Sequence, residues 1–382
     1  MSIYLDNNAS TALDERVAEA VSSCLRSQQG NPSSVHRPGR AARALIERAR
    51  EQVAALVGAQ PGQVVFTSGG TEANNLALHA VLAAQAPGRL AVSAIEHPSL
   101  LEAAQHWQQR DWRLDRIGVD GQGCVTLDHL RAVLTTDTRL VSVMMANNET
   151  GALQDTAALA AEARAAGAVF HTDAIQAAGK VPVDFNTSGA HLMSLSAHKL
   201  YGPKGVGALI VDKALELAPM VHGGGQEKGL RAGTENVAGI VGFGVAAELA
   251  LQTLDERCAH ARHLRERLEA GLAALPGVTL FADRTGRLPN TTQLAVAGVD
   301  GETLLMQLDK DGIAVSSGSA CASGGTEPSH VLTAMGVDAE LARGAIRVSF
   351  GKDNTEADVD ALLASLRRQI EWLQKAGRAA GW

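Results

Sequence analysis

The chain has 382 residues, 46% of them hydrophobic, so it can bury a large core and is not a disordered chain. A net charge of −7 gives nucleic acid no electrostatic reason to bind, and 4 Trp, 2 Tyr and 6 Phe are too few for a base-stacking platform. The longest uncharged apolar stretch, Val237 to Ala247, falls well short of the roughly 20 residues of a membrane helix, so no membrane role is expected.

The N-terminal MSIYLDNNAS lacks a basic region followed by an apolar run, so no secretory signal is read there. The first predicted strand is GQVVFT (62–67), followed by the helix EANNLALHAVLAAQ. RLAVSAI (89–95) and RLVSVMMA (139–146) are strands, TAALAAEARAAG (156–167) is a helix, and AVFHT (168–172) is again a strand. HLMSLSA (191–197) and GVGALIV (205–211) close this series. Strand–helix alternation predicts an α/β fold with a mostly parallel sheet, and nearly all-apolar strands predict that both of its faces are covered.

The pattern then changes. HGGGQEKGLRAGTEN (222–236) holds five glycines in fifteen residues and reads as a long loop. DERCAHARHLRERLEAGLAAL (255–275) is a long amphipathic helix, a bridge between domains. The strands TTQLAVAGV (291–299) and AIRVSF (345–350) follow, then a closing helix from Thr355 to Ala376. The expected division is a large domain over 13–254 and a smaller α+β domain made of 1–12 and 255–382. No internal repeat is visible.

In open α/β sheets ligands bind beyond the carboxyl ends of the strands. The polar residues there are Ser68-Gly69-Gly70-Thr71, Glu96-His97, Asn147-Asn148-Glu149, Asp173 with Gln176, and His198-Lys199. Ser68-Gly69-Gly70-Thr71 sits between strand and helix and reads either as a capped tight turn or as a cup for a monophosphate. It lacks the GK[ST] of a P-loop and the third glycine of a dinucleotide fingerprint. Lys199 is either a solvated surface lysine or a Schiff-base former at a buried strand end. Asp173 either caps the next helix or pairs with a pyridine nitrogen. His97, before Pro98, is either structural or stacked on a ring.

The cysteines stand at 24, 124, 258 and 321, with no CxxC pair for metal or redox work, and scattered thiols suit a reducing cytoplasm. Cys24 and Cys258 fall on helical patterns and Cys124 in a turn. Cys321 lies in the small, polar, glycine-rich run 315–325, an exposed-loop pattern that makes it the nucleophile candidate. A phosphate cup, a stackable histidine, a strand-end aspartate and a strand-end lysine together describe a pyridoxal phosphate site.

The chain resembles the cysteine desulfurases of the class V aminotransferase family, nitrogen-fixation and iron–sulfur-cluster type. The resemblance rests on YLDNNAST, GNPSSVHRPG (30–39), FTSGGTEANN (66–75), EHPS (96–99) and ANNETG (146–151). It continues through HTDAIQAAGKVPVD (171–184), SLSAHKLYGPKGVGAL (194–209), HGGGQEKGLRAGTEN, SSGSAC (316–321) and EPSHVL (327–332). The family usually carries Thr or Ser where this chain has Ala322.

The resemblance implies a fold type I pyridoxal-phosphate-dependent transferase and a role for each matched residue. Lys199 holds pyridoxal 5'-phosphate, Asp173 pairs with its ring nitrogen, Gln176 faces its phenolic oxygen, and His97 stacks on the ring. Gly70, Thr71, Ser196 and His198 hold the phosphate, with Thr234 reaching it from the second subunit of a homodimer. Asn148 and Arg347 hold the carboxylate of the substrate, L-cysteine. Asn148 is also counted among the cofactor contacts. Cys321 takes the substrate's sulfur as a persulfide and passes it to a sulfur-acceptor protein such as an iron–sulfur scaffold. No resident metal site is expected; Cys321 could hold an iron–sulfur cluster transiently through its persulfide. The competing readings are another class V enzyme, such as a small amino acid aminotransferase or a selenocysteine lyase, and a non-catalytic sulfur carrier.

Overall fold

The structure, a computed structural model, describes residues 2–317 and 328–380. The chain enters through a short strand β1 (Ile3–Tyr4) and helices α1 (Glu15–Ser27) and α2 (Arg37–Leu56). Alternation then begins with β2 (Val64–Thr67), α3 (Gly70–Leu82), β3 (Arg89–Ser93), α4 (Pro98–Gln108) and β4 (Arg113–Ile117). It runs on through α5 (Leu127–Arg131), β5 (Thr138–Ser142), α6 (Thr156–Ala165), β6 (Val169–Asp173), the single turn α7 (Phe185–Ser188), β7 (Leu192–Ser196) and β8 (Gly207–Val211).

These strands form one seven-stranded sheet in the order β2-β8-β7-β6-β5-β3-β4. β4, β3, β5, β6 and β7 run parallel; β8 is antiparallel to both β7 and β2. The mostly parallel sheet is therefore as expected, with one reversed strand that apolar patterning alone does not reveal. Strand β4 was not legible because RLDRI carries three charges. Among the described residues it pairs only with β3, at the sheet edge, where charge disfavours further pairing. Two apolar clusters cover the sheet's opposite faces: Phe66, Val141, Phe170 and Phe243 belong to one, and Val65, Leu90, Leu140 and Leu209 to the other. Consecutive residues alternate between clusters because side chains alternate across a strand.

Helices α8 (Val237–Gln252) and α9 (Leu254–Leu272) follow. α8 packs between α1 and α2, which is why it is apolar nearly all round. Among the described residues, no single helix is long and apolar enough to cross a membrane. Beyond them come β9 (Val278–Leu280), β10 (Thr291–Val296), α10 (Gly301–Lys310), β11 (Ile313–Ala314), β12 (Ser316–Ser317), α11 (His330–Ala334), α12 (Ala339–Arg343), β13 (Ala345–Ser349) and α13 (Glu356–Ala380). An antiparallel sheet of order β12-β13-β10-β9 forms here, and β1 pairs parallel with β11. A separate core joins Leu5 to Leu264, Leu268, Leu294, Leu308, Val348 and Leu366.

Gly207 brings two backbone segments close where the site forms, and Gly70 packs against the end of the Ile175 side chain. A Cβ on Gly70 would lie 2.3 Å from Ile175 Cδ1, and one on Gly207 would lie 2.7 Å from both Gly69 C and Leu195 O. No other residue fits this crossing of β8 under the turn that starts α3.

Candidate active site

A cleft of about 860 Å³ opens at the carboxyl ends of β5, β6 and β7, beside the N-terminus of α3. Gly70, Thr71, His97, Asn148, Asp173, Gln176, Ser196, His198, Lys199 and Arg347 all line it. Thr234 does not line it and is exposed, and Cys321 lies outside the described residues. Among the described residues, no group of three or more His, Cys, Asp or Glu is placed to hold a metal ion.

Asp173 ends β6 and is buried. Its Oδ2 accepts a hydrogen bond from Asn74 Nδ2 at 2.8 Å and its Oδ1 one from the Ile175 N–H at 2.9 Å. Burial pushes the carboxyl above its ordinary range, opposed by these two donors and by the nearby charge of Lys199. Asn74 reaches further, donating to Ser99 Oγ at 3.0 Å. Ser99 Oγ lies 2.8 Å from His97 Nδ1, which also accepts the Ser99 N–H at 3.1 Å. Because a backbone N–H can only donate, Nδ1 is the acceptor and the neutral ring carries its proton on Nε2. Burial holds His97 below its usual pKa, keeping it neutral at pH 7. One polar chain thus runs Asp173–Asn74–Ser99–His97.

Lys199 lies in a short 3-10 turn after β7. Its Nζ donates to Asn8 O at 2.6 Å and Ala9 O at 2.8 Å. Gln176 Nε2 donates to the same Asn8 O at 2.9 Å, and its Oε1 accepts from Lys180 Nζ at 2.6 Å. The N-terminal segment is therefore part of the cleft. Its signal was the run of amides in YLDNNAST, matched in the sequence but given no role.

Ser196 Oγ is buried with no hydrogen-bond partner among the described residues, and no side chain caps α3. A free hydroxyl beside the open N–H groups of a 13-residue helix fits a phosphate. Burial and the charges of Lys199, Lys180 and Lys204 pull His198 down to about 4, so it is neutral at pH 7. An orphaned hydroxyl, a buried acid and a lysine on one cleft fit pyridoxal phosphate.

The far wall carries Arg347, which is 3% exposed. Its Nη1 donates to Asn148 O at 3.0 Å, and Asn8 Nδ2 donates to the same carbonyl at 3.2 Å. Asn148 thus meets Arg347 through its backbone. Three further residues received no role from sequence: Glu149 and His330, which line the cleft, and Glu96, which does not. Glu96 is fully buried, with Oε1 accepting from Ser93 Oγ at 2.7 Å and Met144 N at 2.6 Å. Burial pushes it up to about 8, so it is mostly protonated at pH 7. His330 Nε2 is 3.0 Å from Glu96 O, and Glu149 Oε2 accepts from Ser329 Oγ at 2.5 Å. Asn74 had a legible signal: it lies four residues after Gly70, one helical turn on, and is a polar residue on an otherwise apolar face.

The family described as Aminotransferase class-V matches residues 3–362. This chain belongs to that family. Within it, a cysteine desulfurase of Gluconacetobacter diazotrophicus is 47% identical over 95% of this chain and 92% of its own length. The cysteine desulfurase NifS of Azotobacter vinelandii is 42% identical over 94% of this chain and 90% of its own. Among solved structures, a NifS-like protein of Rickettsia africae superposes with a TM-score of 0.88 at 37% identity, covering 97% of this class V chain and 100% of its own. SspA in complex with cysteine superposes with a TM-score of 0.82 at 30% identity, covering 91% and 99%. The architecture of this class V chain is that of fold type I enzymes.

Proposed function

We propose that this chain is a cysteine desulfurase that binds pyridoxal 5'-phosphate, converts L-cysteine to L-alanine and carries the sulfur as a persulfide on Cys321. The observation that carries the reading is the convergence of Lys199, Asp173, His97 and Arg347 on one cleft. Bound pyridoxal phosphate supplies an electron sink for the carbanion formed at the substrate Cα. Lys199 Nζ would hold the cofactor and would take the Cα proton. Asp173 keeps a proton on the pyridine nitrogen, since a carboxylate favours a neighbouring positive charge. Gln176 would face the phenolic oxygen, and His97 would stack on the ring. Ser196, His198 and the Gly70 and Thr71 turn hold the phosphate. Asn148 and Arg347 hold the substrate carboxylate, for which a planar guanidinium fork is suited.

The Cys321 thiolate attacks the substrate sulfur. The S–S bond forms as the C–S bond breaks; the bonding electrons stay on carbon, which is protonated and leaves as alanine. An acceptor protein such as an iron–sulfur scaffold then takes the persulfide sulfur in the cytoplasm. We further propose a homodimer in which Thr234 completes the neighbouring phosphate site. Its exposure, away from its own chain's cleft, supports this. The division into 13–254 and 1–12 with 255–382 is likewise our reading, supported by Leu5 packing with Leu264 and Val348.

Product analysis tests the function. Incubation with L-cysteine and a reductant should release alanine and sulfide in equal amounts. Release of a keto acid instead, with amino transfer, would make the protein an aminotransferase. Lys199→Ala should abolish the borohydride-reducible link between cofactor and protein.

A further inference from the structure

We propose that Asp6 is the positioning residue for the carboxylate-binding fork of Arg347, and so sets the affinity for ligands that carry an α-carboxylate. The proposal rests on the reading of Arg347 as the substrate-carboxylate anchor.

Arg347 leaves the sheet from β13, whose backbone is fixed on both sides: it pairs with Gln293 of β10 and Ser316 of β12. The side chain is long and would sample many rotamers. Two contacts fix its far end. Asp6 Oδ1 accepts from Nη2 at 2.6 Å, and Asn148 O accepts from Nη1 at 3.0 Å. A guanidinium has five N–H protons in one plane. These contacts use one proton on each Nη. Nε–H is buried with no partner among the described residues, and the residue lines the cleft. The remaining donors can form a two-pronged contact with a planar carboxylate.

The Asp6 side chain is not needed to tether the N-terminal segment. The backbone does that already: Ser349 N donates to Leu5 O at 2.7 Å, Asn7 N to Ser349 O at 3.2 Å, and β1 pairs with β11. The carboxylate itself turns away from those contacts to a guanidinium that is 3% exposed, while being 18% exposed itself. It offsets the cost of keeping a buried cation ready before substrate arrives. With that charge balanced, recognition depends on the planar fork more than on net attraction.

Charge alone predicts the reverse: removing Asp6 would leave a stronger cation and tighter binding. The two accounts are separated by binding experiments on the pyridoxal-phosphate-loaded enzyme, read by the cofactor's visible absorption. The probes are L-alanine and ethylamine, the same molecule without its carboxylate. Asp6→Ala should raise the Kd for L-alanine about tenfold or more, the effect of losing one hydrogen bond to a charged group. Asp6→Asn keeps an acceptor oxygen and should fall between wild type and Asp6→Ala. Ethylamine binding should stay within about twofold in both. If Asp6→Ala does not fold, a loss in Asp6→Asn confined to L-alanine carries the proposal. Unchanged or tighter L-alanine binding in the Asp6 variants, with a clear loss in Arg347→Lys, overturns the role of Asp6 and leaves that of Arg347 standing. Equal losses for both probes would make Asp6 merely structural. Wild-type L-alanine binding in Arg347→Lys removes the anchor and the proposal together.

Discussion

Glu227 and Arg50 form a two-pronged buried ion pair, Oε1 to Nη2 at 2.7 Å and Oε2 to Nη1 at 2.8 Å, with both side chains at most 5% exposed. Glu227 Oε2 also accepts from the Phe66 N–H at 2.8 Å on β2. This pair seats the loop 222–236 on the sheet. Glu227 and Lys228 sit at φ 46° and 60°, a strained region for side-chain-bearing residues that persists only where surroundings over-determine it.

Glu227→Gln should therefore destabilise the protein by about 3 kcal/mol, because it removes the buried counter-charge of Arg50 and leaves only the half-exposed Glu47, 3.2 Å from its Nε. Thermal denaturation checks this. The double variant Arg50→Met with Glu227→Met should recover part of the loss, since a paired charge can often be replaced by apolar volume. A double variant weaker than Glu227→Gln alone would show that the Phe66 contact dominates.

Asp173→Asn keeps the shape of the side chain and removes its charge. Turnover should fall by orders of magnitude while the cofactor still binds. Asn74→Ala removes a donor that favours the ionised form of Asp173 and breaks the link to Ser99 and His97. Its turnover should fall about tenfold or more, with a loss smaller than that of Asp173→Asn. Steady-state kinetics on both variants checks the order; an Asn74→Ala enzyme of wild-type rate would show that the chain of hydrogen bonds has no part in catalysis.

What was legible from sequence depended on whether a residue acts through pattern or through a distant partner. Asp173, His198-Lys199 and Asn148 announced themselves because each follows an apolar strand, and strand ends face the cleft. Strand β8 was found but not its direction, because alternation of apolar runs carries no sign. Asp6 and Asn8 stayed silent, and Glu149 was named at a strand end but given no role. Their partners, Arg347, Lys199 and Ser329, lie far along the chain, and no local spacing encodes a contact of that kind. Cys321 stood out by its glycine-rich run and Thr234 by resemblance alone; Thr234 is exposed and does not line its own chain's cleft.

His171 yields a pH prediction. It is fully buried on β6, with Nδ1 2.8 Å from Ser142 Oγ and Nε2 2.9 Å from Ser194 Oγ. Burial pulls it down to about 3. The unfolded chain binds a proton near pH 6.5 and the folded one does not. Between about 6.5 and about 3 the unfolded state therefore holds more protons, and stability is lost as pH falls through that window. His171→Gln cannot titrate, so its urea midpoint should fall less between pH 6.5 and pH 4.5 than that of wild type. Parallel curves would show that His171 is not the group responsible.

Cys321→Ser separates desulfuration from the other chemistries of this family. Only a thiolate attacks sulfur well, and a free thiol has a pKa of about 8.5. The other three cysteines are poor candidates on physical grounds. Cys24 is buried, Cys124 Sγ lies 3.2 Å from Thr285 Oγ1, and Cys258 Sγ donates to Lys180 O at 2.8 Å. Burial pushes all three above the ordinary thiol value, which disfavours their thiolates. Mass spectrometry after cysteine treatment should thus show one added sulfur, on Cys321 and on none of these. Cys321→Ser should keep the cofactor spectrum and its change on adding cysteine, because Lys199, Asp173 and Arg347 are untouched, yet transfer no sulfur. Sulfide release by Cys321→Ser at the wild-type rate, with reductant present, would mean that sulfur leaves without a protein nucleophile, as in a lyase.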